Sequence, residues 1–412
     1  MSPVLSFINR NLSLLAVSVC LMMSCASLIV ATAALVGFAL ATDKALSTLP
    51  MAVQYIATML TSIPAAYLMH KLGRKLTFML GSLFAITGAG LACFAIIQQH
   101  FWLFVLATAL VGAFQGFANY IRYAAAETVA IPDRSKAISF VMLGGVAAAV
   151  IGPNLAKYSR EWVSGAEFAG SYAAAVLLYL MILFVMAFLR LKKDIPEPVS
   201  INEDKPLGRP LSVIVMQPRY LVAVLSGMIG YGVMSFIMTA TPLAMNQSSF
   251  LFDDTSLVIQ WHVLAMFAPS FVTGTLIVRF GLSKVMLCGV FFGFACVLIN
   301  MLGSSLWHYM LALICLGISW NFLFVGSTTM ITDTYNEAEK NKAQAVNDFL
   351  MFSMVAFASL SAGALQNAFG WQVVNLGVLP LLTIVLIALL SQLRKDKLLA
   401  KQNLLQETPL AG

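Results

Sequence analysis

The stretch HKLGRK, residues 70–75, places three basic residues and a histidine between two long apolar runs. The stretch VRFGLSK, residues 278–284, is a diverged copy that lies 208 positions later, again between two apolar runs. Short basic islands between apolar segments of about 20 residues are typical of the loops that connect transmembrane helices. The two stretches together indicate a membrane protein built from two similar halves.

The composition also indicates that lipid surrounds most of the chain. Of its 412 residues, 60% are hydrophobic and only 10% are charged, whereas soluble proteins carry about 25% charged residues. So few charges cannot cover a surface that faces water. Twelve apolar segments are long enough to cross a bilayer as helices, and they lie at roughly 13–41, 48–69, 76–98, 102–126, 137–156, 169–189, 221–245, 257–278, 285–303, 309–332, 343–366 and 371–393.

Lysine and arginine are distributed unevenly among the loops. If both termini are cytoplasmic, 20 of the 24 Lys and Arg residues lie on the cytoplasmic side and three lie in the outer loops. By the positive-inside rule, this bias predicts an all-α membrane protein with its N and C termini in the cytoplasm. The same topology accounts for the net charge of +7 without a nucleic-acid partner, because the sequence contains no soluble domain that would carry a basic patch.

One long polar segment divides the chain. Residues 190–220 contain five prolines and charges of both signs, which predicts a cytoplasmic linker. The linker separates an N-terminal half, residues 1–189, from a C-terminal half, residues 221–393, so that each half has six predicted spans. Residues 394–412 are polar and are predicted to form a frayed cytoplasmic tail.

A second pair of loops supports an internal repeat. The loop ETVAIPDRSKA, residues 127–137, aligns with DTYNEAEKNKA, residues 333–343, at an offset of 206. Parallel repeats of this kind place a substrate site between the halves near the membrane midplane. Glycine permits the tight turn within each basic loop. The candidate gating residues of these loops are Lys71, Gly73, Arg74, Lys75, Glu127, Arg279, Gly281 and Asp333.

The segment AYLMHKLGRK resembles the loop motif of the major facilitator superfamily, Gly-x-x-x-Asp-Arg/Lys-x-Gly-Arg-Arg/Lys. Its bases and Gly73 match that motif, whereas His70 stands where many members carry a gating aspartate. The resemblance implies the twelve-helix fold of two six-helix repeats and secondary transport by alternating access. The segments IQWHVLAMFAPSFVTG and NKAQAVNDFLMF also resemble a proteobacterial branch of the superfamily that is associated with riboflavin uptake.

Polar side chains within the predicted spans are candidates for substrate binding, because polar groups are costly inside a bilayer. Gln115, Asn119 and Arg122 recur at i, i+4 and i+7 of the fourth span and therefore share one face. This face is predicted to line a cavity. For Arg122, snorkelling to the interface or pairing with Glu127 is an equally good interpretation.

The second half offers further candidates for the cavity. Asn321 aligns with Gln115 at the offset of 206. Tyr231 and Trp320 add aromatic surface, which can stack on a planar heteroaromatic substrate or simply pack within the helix bundle.

Two titratable residues are candidates for ion coupling. His262 lies in the eighth span and can titrate near neutral pH, but it can equally be a packing residue. Asp348 lies about one and a half turns inside the eleventh span. It can carry a coupling proton, form an interhelical hydrogen bond, or pair with Lys342 or Lys340 near the membrane edge.

Motifs of enzymes and pumps are absent from the sequence, which has no phosphate-binding loop and no metalloprotease or serine-hydrolase signature. We therefore expect no enzyme activity, no cofactor and no metal. Two antiporter motifs are incomplete, because Gly112 replaces an arginine before QGFA and the Gly-Pro at 152–153 lacks its final glycine pair.

The sequence therefore predicts a monomeric, multi-pass secondary transporter of a small organic solute in the bacterial inner membrane. Uptake of riboflavin or a similar aromatic metabolite is the most specific hypothesis, with protons as the candidate coupling ion. The alternatives are a proton-linked efflux carrier for drugs or a siderophore, and a membrane scaffold that transports nothing.

Overall fold

The computed structural model describes residues 9–130, 137, 140–191, 208–336 and 339–407, and in these ranges the regular structure is entirely helical. The prediction of an all-α membrane fold is confirmed. The helices are α1 (Arg10–Leu40), α2 (Leu49–Leu72), α3 (Arg74–Ile97), α4 (Phe101–Ala118), α5 (Ile121–Glu127), α6 (Gly144–Ser159), α7 (Ala169–Ala187), α8 (Leu211–Val215), α9 (Pro218–Gln247), α10 (Phe252–Phe267), α11 (Ser270–Phe280), α12 (Leu282–Leu302), α13 (Leu306–Thr332), α14 (Lys340–Leu376) and α15 (Leu379–Glu407), with a short 3₁₀ turn at Lys44–Leu46.

Ten helical stretches of the described chain are long and apolar enough to cross a membrane, or eleven if the bent pair α10 and α11 counts as one span. One of the ten, Lys342–Leu398, has 57 residues, about 85 Å of helix. It breaks at Gly370, whose φ is 76°. Both ends of this stretch lie against the beginning of α9, so it traverses the bundle twice. The count of twelve spans and the cytoplasmic termini stay predictions.

The two halves repeat the same packing. In the N half (α1–α7), α1 packs on α6, α2 on α4, and α3 on both α4 and α7. In the C half (α8–α15), α9 packs on α14, α10 on α13, and α12 on both α13 and α15. Each contact in the N half therefore has its counterpart in the C half, as the repeated loops predict.

The turns at the two basic loops are also equivalent. Gly73 ends α2 and precedes α3 with φ 82° and ψ 157°, and Gly281 stands between α11 and α12 with φ 94° and ψ 147°. A side chain is strained at such positive φ values, so glycine allows the chain to reverse without a longer loop. The predicted role of these two glycines is confirmed.

The described ends of the linker and the tail are more helical than the sequence suggested. Residues 192–207 of the predicted linker lie outside the described residues, but α8 lies within it and α9 begins at Pro218. At the C terminus, α15 continues to Glu407 instead of ending near residue 394. Between Pro380 and Pro409 the sequence contains no proline or glycine that would end the helix.

Candidate functional site

The halves meet at the end of the bundle that lies opposite the linker, called here the far end. One seam joins α6 to α10. The ammonium of Lys157 lies 2.9 Å from the carboxylate of Asp253, and the amide of Asn154 donates to Gln260 Oε1 at 2.8 Å. These contacts close the far end between the N half and the C half.

A second seam joins the start of α2 to α14. The hydroxyl of Thr48 donates to the carbonyl of Leu360 at 3.2 Å and accepts from the backbone N–H of Gly363 at 3.1 Å. Closer to the linker end, Ser353 donates to the sulfur of Met59 at 3.5 Å. Among the described residues, the hydrogen bonds between the halves occur from this level to the far end. The halves are therefore joined from this level to the far end, and the boundary between them on the linker-end side of these contacts is called here the cleft.

An aromatic cluster lies in the C half near the middle of its helices. It consists of Tyr231, Phe267, Trp320, Phe324 and Phe352. The ring of Trp320 stacks on that of Phe324, with centroids 4.8 Å apart and planes at 10°. Tyr231 meets Trp320 edge to face at 5.5 Å, and Phe267 does so at 5.9 Å.

The aromatic cluster borders the N half. Phe267 faces Gly145 of α6, and Tyr55 of α2 lies near Tyr231 with its hydroxyl beside that of Ser235. The cluster therefore contributes to the boundary between the halves, where a parallel repeat places its substrate site. The sequence indicated Tyr231 and Trp320 but not the phenylalanines. Among 28 Phe residues, only the spacing of Phe324 four residues after Trp320 is a local signal for the cluster.

Two residues of opposite charge, one in each half, lie within electrostatic range of each other. Arg122 belongs to α5 of the N half and Asp348 to α14 of the C half, and the charge of Arg122 acts on both Asp348 and Tyr231. Asp348 is exposed and accepts a hydrogen bond from Asn347 at 3.1 Å. The sequence named these two residues for different roles, Arg122 for the cavity and Asp348 for coupling, and the structure places them within electrostatic range.

The amides on the fourth span have free hydrogen-bonding groups. Gln115 lies on α4 and Asn119 at the junction of α4 and α5. Both are half-buried, and neither side chain makes a hydrogen bond within the described part of the chain. Their role in the substrate cavity stays a prediction.

Asn321 differs from these two amides, because its hydrogen-bonding groups are occupied. The side chain is 1% exposed and donates from Nδ2 to the carbonyl of Met266 and to Ser270 Oγ, both at 2.7 Å. Its Oδ1 accepts from the hydroxyl of Thr273 at 2.7 Å. Asn321 therefore ties α13 to the break between α10 and α11, and it presents no free donor to a substrate in this conformation.

His262 is sealed within the C half. Its side chain is 0% exposed, and Nδ1 lies 2.7 Å from the carbonyl of Leu313, which makes Nδ1 the protonated nitrogen. The structure does not bring His262 together with Asp348 or with the cleft. The geometry agrees with the packing interpretation that the sequence left open.

The loops at the linker end hold the candidate gating residues. In the N half, Arg74 pairs with Glu127, and Lys75 donates to the carbonyl of Ala187 at 2.6 Å, at the end of α7. This places a positive charge where the helix dipole favours one. Glu127 therefore has a partner other than the Arg122 proposed from the sequence. Lys71 is exposed.

The C half forms its ion pair differently. Asp333, the counterpart of Glu127, lies 2.7 Å from Arg219 of α9. The repeat has Leu282 where the N half has Arg74, so the base must come from another helix. Arg279 is exposed against the ring of Phe280.

Comparison with known proteins agrees with this architecture. The family model described as Major Facilitator Superfamily matches residues 14–253 and 223–411. The riboflavin transporter RfnT of Brucella anthropi is 39% identical to the chain over 386 residues, which are 94% of this chain and 96% of that protein.

One more distant sequence match and one solved structure are also similar to the chain. The uncharacterized MFS-type transporter YdeG of Bacillus subtilis is 28% identical over 72% of this chain and 70% of its own length. The crystal structure of a D-xylose-proton symporter superposes with a TM-score of 0.75 and covers 92% of this chain and 96% of its own, at 12% sequence identity. This last likeness concerns the fold alone.

Proposed function

Because this chain belongs to the major facilitator superfamily, we propose that it imports riboflavin, or a very similar planar aromatic metabolite, across the inner membrane of a bacterium. The observation that carries the proposal is its 39% identity to a riboflavin transporter over nearly the whole length of both chains. Secondary transport is the activity of the family. The identity of the substrate, the direction of transport and the location in the inner membrane are what we propose.

The aromatic cluster supports a planar substrate. Flavins carry a flat three-ring system, and aromatic side chains favour stacked or edge-to-face contacts with such rings, worth about 0.5–1.5 kcal/mol each. Tyr231 and Phe352 are half-buried, so this side of the cluster is accessible from the cleft. The free amides of Gln115 and Asn119 on the opposite half suit the hydroxyl groups of a ribityl chain.

The conformation and the charges support a transport cycle. The halves are joined by polar contacts at the far end, as expected of one of two alternating-access states. We propose that Arg122 and Asp348 form the coupling pair. Protonation of Asp348 would remove its attraction to Arg122 and change the relative energies of the two states.

The proposal is tested by rescue of a riboflavin-auxotrophic bacterium on micromolar vitamin. Cells that express the protein should grow and should accumulate labelled riboflavin, whereas cells with an empty vector should not. Tyr231→Ala, expressed at equal level, is the matched control and should rescue poorly because the cluster loses its accessible ring. If expressing cells hold less labelled riboflavin than vector cells, the protein exports it, and if the two take up equal amounts, riboflavin is not the substrate.

A further inference from the structure

The indole N–H of Trp320 is a buried donor that has no acceptor among the residues that the structure describes. Trp320 is 7% exposed, and its Nε1 has no hydrogen-bond partner among the described residues. A buried donor left unsatisfied costs about 1–3 kcal/mol. In a transporter, a ligand that supplies the missing acceptor would explain why such a donor is buried.

The aromatic cluster fixes the direction of this donor. Phe324 covers one face of the indole, while Tyr231 and Phe267 approach it edge to face. The ring therefore cannot turn to find another acceptor without breaking three aromatic contacts. Since Tyr231 is half-buried and Phe267 faces Gly145 of the N half, the indole of Trp320 belongs to the aromatic cluster at the boundary between the two halves.

We propose that the N–H of Trp320 donates a hydrogen bond to a carbonyl oxygen of the substrate's ring system, and so selects rings that carry such an oxygen. This inference rests on the proposed function. The flavin ring has two carbonyl oxygens along its pyrimidine edge, and both accept hydrogen bonds in the plane of the ring. A ring that packs against Tyr231 can place this edge toward the indole.

The chain offers a matched control for this donor. Trp371 also has an indole N–H without a partner in the described part of the chain, but it lies in the C half near the far end, beside Tyr309. Trp320→Phe and Trp371→Phe remove the same chemical group and keep an aromatic ring. Only the first of these substitutions affects the aromatic cluster at the boundary between the halves.

Binding to the purified protein is measured by the quenching of flavin fluorescence, with riboflavin and with lumiflavin, which keeps the ring carbonyls and lacks the ribityl chain. Trp320→Phe should weaken the binding of both ligands by the same factor, about tenfold. Trp371→Phe should leave both affinities unchanged. Unchanged affinity in Trp320→Phe, or a loss for riboflavin alone, overturns the assignment to a ring carbonyl.

A change in the ligand tests the same bond when the variant does not fold. In 2-thioriboflavin and 4-thioriboflavin one ring oxygen is replaced by sulfur, a weaker acceptor. One of these two should bind the wild type several-fold less tightly than riboflavin, and equal binding of all three contradicts the proposal. If the wild type binds neither riboflavin nor lumiflavin, the proposed function itself fails, which is a separate result.

Discussion

Gln115 and Asn321 stand at equivalent positions of the two repeats, yet their amides have different surroundings. Gln115 is half-buried without a hydrogen bond among the described residues, whereas Asn321 is buried with three. The difference arises because the second span of the C half breaks at Pro269, and the N half keeps α2 continuous. The break leaves polar groups of Met266, Ser270 and Thr273 next to α13, and Asn321 forms hydrogen bonds with all three.

We therefore expect Asn321→Ala to affect stability more than substrate affinity. The variant loses three buried hydrogen bonds and should lower the free energy of unfolding by about 2–3 kcal/mol. The measurement is the thermal unfolding of purified protein in detergent, with Gln115→Ala as the matched variant. An Asn321→Ala protein that melts with the wild type would show that these bonds contribute nothing to stability.

Asp348→Asn should separate coupling from exchange. The amide keeps the size of the carboxylate but cannot carry a proton, and it removes the charge that lies within electrostatic range of Arg122. Accumulation against a gradient should be abolished, while counterflow exchange continues, since exchange needs alternating access without net proton movement.

The control for this prediction is Glu161→Gln, which removes a carboxylate that is 76% exposed and lies near the far end. It should accumulate substrate normally. If Asp348→Asn still accumulates riboflavin and still responds to an uncoupler, Asp348 is a structural residue. If uncouplers have no effect on the wild type, the protein is a facilitator.

At the scale of elements, two glycines set how closely the second and fourth spans of each half approach. A Cβ atom on Gly112 would lie 2.1 Å from the backbone oxygen of Gln54, and one on Gly317 would lie 2.7 Å from that of His262. This contact explains why Gly112 stands where the drug-antiporter motif has arginine. No larger side chain fits while α2 and α4 pack at this distance.

Gly112→Ala should consequently disrupt folding. The new methyl group meets backbone and not a mobile side chain, so α2 and α4 must separate, and overpacking of this kind costs about 1–3 kcal/mol or more. Gly274→Ala is the control, because no atom lies within 4 Å of its added Cβ. The yield of monodisperse protein in size-exclusion chromatography should fall for Gly112→Ala and not for Gly274→Ala.

An ion pair fastens the end of the linker to the loop between α13 and α14. Arg209 donates from Nε and Nη2 to the two carboxylate oxygens of Glu339, at 2.8 and 2.7 Å, and its backbone N–H donates to Glu339 as well. The Arg209 guanidinium lowers the pKa of Glu339 to about 2, against the opposing effect of desolvation. The pair therefore stays charged throughout the physiological pH range.

This pair predicts a specific dependence of stability on pH. Since the folded-state pKa lies below the ordinary value of 4.5, the stabilisation is complete above pH 4.5 and is lost as the pH falls toward 2. Glu339→Gln should melt below the wild type at pH 6, and the difference in Tm should shrink as the pH is lowered. A difference in Tm that stays constant with pH would show that the charge of Glu339 is not responsible.

At the scale of the whole molecule, hydrogen bonds and an ion pair join the halves at the far end. Among the described residues, the polar contacts between the halves at the far end are one ion pair and a few hydrogen bonds, including Lys157–Asp253 and Asn154–Gln260. A half-exposed ion pair contributes only about 0–1 kcal/mol. Contacts this weak can be broken and remade in a transport cycle.

Fixing the far end should therefore stop transport. Cysteines introduced by Asn154→Cys and Gln260→Cys can be joined by a short bifunctional thiol reagent, and uptake of riboflavin should then cease. The control pair, Asn11→Cys and Arg190→Cys, joins two residues of the N half that are in hydrogen-bond contact, so uptake should continue. Full uptake after complete reaction of the 154–260 pair would contradict alternating access at this seam.

The sequence by itself determined the apolar spans, the division into halves and the turns at Gly73 and Gly281. These properties depend on the length and hydropathy of one segment and on the backbone freedom of one residue. Only the tertiary structure decided that Arg122 lies within electrostatic range of Asp348 and that the amide of Asn321 is occupied. Those facts depend on how each helix is rotated about its axis and on which distant helix packs against it. Many long-range contacts together determine both.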